Sequence, residues 1–175
     1  DYIKDLGINC IHVMPVSEFE GNNSWGYNPN YYFAADKAYG TANDLKEFID
    51  EAHLRGIAVV NDLVLNHAFY SNPNAMLYWN NDLNRPADDN PWFNPTHKGI
   101  YDTAGHWGAD WNHASEHTQT MVDEILDYYE NKNIAVAFTS LKGHVRDHLV
   151  KSGLMKKIRY DHCFMSIQEA VDWFE

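Results

Sequence analysis

The sequence predicts an α/β fold built on an open parallel sheet of about four strands with crossover helices. Three observations carry that prediction. Short apolar runs alternate with amphipathic stretches, in the order helix tail, strand, helix, strand, insertion, helix, strand, helix, strand, helix, which is the order that right-handed parallel crossovers produce. The run Ile57-Ala58-Val59-Val60 follows a helix that ends at Gly56, and so dense a branched apolar run suits a buried strand. The chain has 175 residues, whereas closing an eight-stranded barrel takes roughly 250. An open sheet has exposed edges, and self-association through them is expected.

The elements follow in order. Residues 1–7 (Asp-Tyr-Ile-Lys-Asp-Leu-Gly) read as the last turns of a helix with Gly7 as its C-cap, as in a segment cut from something longer. Ile8 to Val16 is a strand ending near Pro15. A polar, aromatic loop runs from there through Ser24-Trp25-Gly26-Tyr27-Asn28-Pro29 to Tyr39-Gly40. Thr41 with Asp44 three places on is a capping-box variant. It opens a helix with Leu45, Phe48, Ile49 and Ala52 on one face, closed by Arg55-Gly56. The strand through Asp62 comes next. Residues 68–114 show no sustained period and are rich in Asn, Asp, Pro, Trp and His. So long an irregular stretch is functional or a small inserted subdomain. Ser115 caps a helix burying Met121, Val122, Ile125, Leu126 and Tyr129. Ile134 to Leu141 is an apolar strand, and Val145, Leu149 and Val150 suit a helix ending at Ser152-Gly153. A short strand, His162 to Met165, and a helix with Ile167, Ala170, Val171 and Phe174 finish the chain.

Composition bounds the function. A hydrophobic content of 45% supports a globular, soluble protein with a real core. No apolar stretch is long enough to span a membrane, and nothing at the start looks like a signal peptide; compartment stays open. The net charge of -12 argues against nucleic acid and anionic membranes as partners. That charge is uneven: residues 1–130 carry 6 basic and 20 acidic side chains, residues 131–175 carry 7 and 5. All 6 prolines and five of the 6 tryptophans also precede residue 131, so a boundary near 130 is expected. Cys10 and Cys163 sit in separate strands and read as free thiols.

The chemistry-bearing residues cluster at Asp62, Asn66 and His67, where a strand ends. Ligands and catalysis in parallel α/β folds sit at the carboxyl ends of strands, and an acid, an amide and an imidazole are costly to bury without partners. A strand running into a polar turn accounts for the same residues, and both readings stand on this segment alone. Trp25 and Tyr27 lie in the loop after the first strand. Aromatic rings there suit sugars, whose C–H faces stack on rings while hydroxyls bond to Asn, Asp and His. As plain packing aromatics, Trp25, Tyr31, Tyr32 and Phe33 need no ligand. His106, His113 and His117 raise a zinc reading, but zinc wants three or four converging ligands and no cysteine pair accompanies them. A calcium site of Asn66 with loop oxygens such as Asp110 suits hard-cation chemistry better. Glycoside hydrolysis needs two carboxylates flanking one bond. Asp62 supplies one. Glu18 and Glu20 lack an apolar context, Phe138-Thr139-Ser140-Leu141-Lys142 has no acid, and Asp161 lies at the wrong end of its strand.

Residues 1 to about 129 resemble the catalytic barrel of the α-amylase family (glycoside hydrolase family 13), with a flavour of its branching-enzyme and pullulanase-like bacterial members. The resemblance rests on Met14-Pro15-Val16 through Trp25-Gly26-Tyr27-Asn28-Pro29, on Tyr39-Gly40-Thr41, and on Asp62-Leu63-Val64-Leu65-Asn66-His67. It implies that His67 and Tyr27 line the subsite of the glucose unit to be cleaved, and that Asp62 orients it. It implies Asn66 as a calcium ligand with an oxygen from the insertion, and Asp110 as the acid closing a shortened inserted subdomain at 68–114. The partner implied is an α-glucan or maltooligosaccharide. The family's nucleophile strand, Gly-Phe-Arg-Phe-Asp, has no counterpart: Ile134 to Leu141 stands in its place, and Gly143-His144-Val145-Arg146-Asp147 lies on an amphipathic stretch. As a free-standing chain the protein is therefore expected to lack hydrolase activity.

Residues 132–175 are similar to the C-terminal half of a STAS domain of sulfate-transporter or anti-sigma-antagonist type. The residues concerned are Asn133 to Phe138, Gly143 to Leu149, Lys151-Ser152-Gly153-Leu154 and Ile167 to Val171. The expected whole is a chimeric composite: residues 1–130 from part of an α-amylase-type TIM barrel, joined to a STAS-like βαβα segment over 131–175. Two other expectations stand beside it: a STAS-type binding or regulatory module, and a recombined or designed chain with no selected function.

Overall fold

The structure is a computed structural model describing residues 1–97, 108–131, 136–139, 143–151, 153 and 155–174. The chain divides into two compact units, Asp1–Trp111 and Asn112–Glu175, so the structural division falls earlier in sequence than the shift in charge near residue 130.

In the first unit, helix α1 (Tyr2–Asp5) ends in a turn at Gly7, φ +77°, and strand β1 (Cys10–Val13) follows. Helix α2 (Ala42–Leu54) starts where expected. Thr41 accepts from the Asp44 backbone N–H while Asp44 accepts from that of Thr41, so two otherwise orphaned donors are satisfied reciprocally. Strand β4 (Ala58–Asn61) then runs parallel to β1, with Cys10 opposite Ala58 and Val13 opposite Asn61. Between them lies a feature that the sequence reading missed: strands β2 (Ser17–Phe19) and β3 (Pro29–Ala35) form an antiparallel hairpin inside the expected loop. Fully buried Asp36 ties the hairpin down, accepting from Phe19 N–H at 3.2 Å and Ala38 N–H at 2.7 Å.

Beyond β4 the irregular stretch carries strand β5 (His67–Ala68), helix α3 (Pro73–Leu77), strands β6 (Trp79–Asn80) and β7 (Arg85–Pro86), and strand β8 (Ala109–Asp110). β5 pairs antiparallel with β8, placing His67 opposite Asp110. Asparagines take the place of a continuous ladder. Buried Asn72 donates to the Asn30 carbonyl at 2.7 Å and accepts from Asn74 N–H, and Asn90 accepts from the N–H groups of Trp92 and Phe93. Short amide side chains can bond nearby backbone in this way, which explains the Asn-rich composition without a ligand. Phe93 stacks on Trp111 with centroids 4.0 Å apart, and both are buried.

In the second unit, helix α4 (Glu116–Glu130) is capped by Ser115, whose hydroxyl accepts from His117 N–H at 3.2 Å, and buries Met121, Val122, Ile125 and Leu126 as the 3.6-residue period requires. Strand β9 (Phe138–Thr139) pairs parallel with β10 (Cys163–Phe164). Residues 134, 135, 140 and 141 of the expected strand lie outside the described residues. Helices α5 (Gly143–Lys151), α6 (Met155–Ile158) and α7 (Ile167–Phe174) complete the unit; α6 was not foreseen.

Among the described residues the strands form five two-stranded sheets, two parallel and three antiparallel. Among the described residues the parallel pairs are β1 with β4 in the first unit and β9 with β10 in the second. Both cysteines are free and half-buried. Among the described residues no helix is long and apolar enough to cross a membrane.

Candidate functional site

The site is built around the connector from Asp62 to His67, between the end of β4 and the start of β5. Two neighbouring residues hold its two ends. The Tyr27 hydroxyl donates to Asp62 Oδ2 at 2.8 Å, and Asn28 Oδ1 lies 3.0 Å from His67 Nε2. Gly26 makes this possible. It sits at φ +86°, a region that only glycine enters freely, and a Cβ there would lie 2.3 Å from the Pro15 carbonyl oxygen. The turn therefore presses against the end of β1 and aims the next two side chains at the connector.

Of the predicted residues, Tyr27 and Asp62 come together. Trp25 is 76% exposed and Tyr27 41% exposed, so both rings offer faces to solvent. Because its hydroxyl donates a hydrogen bond to the Asp62 carboxylate, the Tyr27 phenol is held above its ordinary value. His67 is only 4% exposed. Burial pushes its imidazole below the ordinary value of 6.5, His97 pushes the same way, and Asp110 and the Tyr27 backbone oppose them. The ring is therefore neutral at pH 7. The β5 backbone is anchored as well: the His67 carbonyl accepts from the Tyr32 hydroxyl at 2.8 Å, and that hydroxyl accepts from Trp111 Nε1–H at 2.9 Å.

Asn66 and Asp110 are brought near one another, since Trp111 N–H donates to the Asn66 carbonyl at 3.2 Å and β5 pairs with β8. The Asn66 side chain is exposed. The Asp110 carboxylate accepts from Asn94 Nδ2 at 2.7 Å and lies 3.5 Å from His97 Nδ1. Oδ1 of Asn94 is buried with no partner among the described residues. These are the hard oxygen donors that calcium takes. Among the described residues no three His, Cys, Asp or Glu side chains converge as a metal site. His106, one of the three imidazoles considered for zinc, lies outside the described residues.

Asn28, Tyr32, Asn94 and His97 join the site without having been predicted as site residues. Asn28 and Tyr32 stood in the aromatic motif but looked like turn and packing residues. Asn94 and His97 lie in the unperiodic stretch and carried no signal. Glu18, weighed as an acid, is instead paired with Lys37, which holds its carboxyl below the usual range.

The α-amylase catalytic-domain family matches residues 1–134. An oligo-1,6-glucosidase from Heyndrickxia coagulans is 34% identical over 139 residues, covering 75% of this chain and 23% of that protein. A 1,4-alpha-glucan branching enzyme from Shewanella frigidimarina is 40% identical over 88 residues, covering 50% of this chain and 12% of that protein. The chain thus spans less than a quarter of the length of either relative. Among solved structures, Amy13B from Eubacterium rectale superposes with a TM-score of 0.66 at 23% identity, over 94% of this chain and 38% of that one. The trehalose-6-phosphate hydrolase of Bacillus licheniformis gives 0.66 at 18% identity, over 100% and 41%. These structural likenesses show a shared fold.

Proposed function

The chain belongs to the α-amylase catalytic-domain family, and from that premise we propose that its first unit keeps the substrate side of an α-glucan-processing glycoside hydrolase. The observation that carries this reading is the Tyr27–Asp62 bond of 2.8 Å at the carboxyl end of β4, beside the exposed ring of Trp25. Trp25 and Tyr27 offer π-faces to the C–H face of a glucose ring. Asp62, oriented by Tyr27, offers acceptor oxygens to sugar hydroxyls. His67, with Asn28, fixes the geometry from behind. Asn66 and Asp110 are the residues that would hold a calcium ion, whose chemistry here would be structural: stiffening the β5–β8 pair.

The same reading makes the isolated chain inactive in hydrolysis. A retaining mechanism needs a second carboxylate about 5 Å from the first across the scissile bond, and residues 134–141 carry no acid. The test is a titration of Trp fluorescence with maltotriose, with and without calcium, beside a reducing-sugar assay on soluble starch. Saturable quenching with Kd of about 1 mM or weaker, near 4 kcal/mol, is expected. Tyr27→Ala or Asp62→Asn should weaken it at least severalfold, and no reducing sugar should form. Absence of quenching at tens of millimolar, on the same order-of-magnitude scale, would sink the binding claim. Turnover abolished by His67→Ala would sink the inactivity claim.

For residues 131–175 the STAS-like reading remains a second proposal. It rests on the sequence resemblance and on the change of charge near residue 130. Fluorescence quenching by nucleotide with none by maltotriose would favour it over the glucan reading.

A further inference from the structure

We propose that Glu20 is a positioning residue which, through the Asn28 amide, holds His67 as its Nε2–H tautomer. Glu20 and Asn28 are joined twice: Asn28 Nδ2 donates to Glu20 Oε1 at 3.2 Å, and Glu20 N–H donates to the Asn28 carbonyl at 3.3 Å. A carboxylate offers only acceptors, so the amide must turn its NH2 toward Glu20. Its carbonyl oxygen is thereby left facing His67 Nε2 at 3.0 Å. That oxygen is itself only an acceptor, so Nε2 must carry the hydrogen. The opposite tautomer would set lone pair against lone pair in a place that is only 4% exposed.

A second observation points the same way. Glu20 Oε2 is buried with no partner among the described residues. A merely structural tie between the end of β2 and residue 28 would be made at less cost by a neutral side chain, since a carboxylate oxygen withheld from water is unfavourable. The cost makes sense if orientation is the purpose: a neutral amide at position 20 could present either end to Asn28, whereas a carboxylate presents one. The inference rests on the glucan reading only for the use that it assigns to His67. The tautomer does not depend on that reading.

The experiment is long-range 1H–15N correlation of the histidine rings at pH 8 in the full chain, with maltotriose affinity measured on the same samples. Wild type should show His67 as a single Nε2–H tautomer. Glu20→Met should give a mixture of tautomers and severalfold weaker maltotriose binding, with the other histidine signals unmoved. Glu20→Gln, whose amide can present either end to Asn28, should fall between wild type and Glu20→Met, and a fully wild-type Gln pattern would overturn the claim that the charge fixes the orientation. An Nδ1–H signal for His67 in wild type overturns the proposal whether or not any variant folds, and so does an unchanged tautomer in Glu20→Met. If the tautomer responds as stated while no sample binds maltotriose, the positioning role stands and the glucan reading falls. If maltotriose binds but the tautomer ignores Glu20, the reverse holds.

Discussion

Replacing Tyr32 by Phe removes one oxygen and nothing else, and it tests how the site is anchored. That hydroxyl donates to the His67 carbonyl at 2.8 Å and accepts from Trp111 Nε1–H at 2.9 Å. It therefore joins β3, β5 and the Trp111 ring at one point. Trp111 is 2% exposed and His67 4%, so water has little access to either partner once the hydroxyl is gone. Each buried group that loses its hydrogen bond costs about 1–3 kcal/mol, and here two groups each lose one. Tyr32→Phe should therefore lose about 2–6 kcal/mol. Urea denaturation followed by tryptophan fluorescence and by far-ultraviolet circular dichroism reads this directly. With a slope of about 2 kcal/mol per molar urea, the midpoint of the transition reported by fluorescence should fall by roughly 1–3 M. The two probes need separate analysis because a chain of two units need not unfold in one step. Tyr31→Phe, at a neighbouring ring that is 48% exposed, serves as control and should stay within about 0.5 kcal/mol of wild type. A Tyr32→Phe midpoint within that same margin would refute the reasoning, because it would mean that water satisfies both partners.

Two further outcomes follow from the same geometry. Gly26→Ala combines a left-handed backbone with a Cβ placed 2.3 Å from the Pro15 carbonyl; the backbone alone costs about 1–2 kcal/mol, so a larger loss of stability and loss of maltotriose binding are expected, and a neutral result in either assay would show that the turn is not rigid. His67 makes stability depend on pH. Its folded value lies below 6.5, so the unfolded chain binds more protons in that window. This contribution is complete above about pH 6.5 and is lost as pH falls through the lowered folded value. His67→Gln should flatten that part of the urea-midpoint profile; an unchanged slope would place the titration elsewhere.

Much of the architecture was legible in local chemistry. The Thr41–Asp44 box, the stop at Gly56, the Ser115 cap and the buried stripe of α4 each depend on residues within one or two turns, where spacing fixes geometry. The β2–β3 hairpin was hidden because its register is irregular and because buried Asp36, a residue that composition marks as solvent-facing, holds it. Helix α6 was missed because its four residues are too few to show a period. That β1 pairs with β4 and β9 with β10 could not be read either, since a strand's sequence shows that it is buried but not which partner covers it.

At the site, the sequence by itself determined the residue types and their order. The strand ending in Asp62, the motif from Trp25 to Pro29 and the resemblance that these carry led to the α-amylase family, and the match over residues 1–134 bears this out. Only the tertiary structure decided who holds whom. Tyr27 reaches across 35 positions to Asp62 and Asn28 across 39 to His67, while Tyr32 and Trp111 clamp the same segment across 79. Hydrogen bonds at such separations leave no periodic trace, because each depends on where two distant backbones come to lie rather than on spacing along either. The same physics makes His67 a buried ring whose orientation its neighbours set.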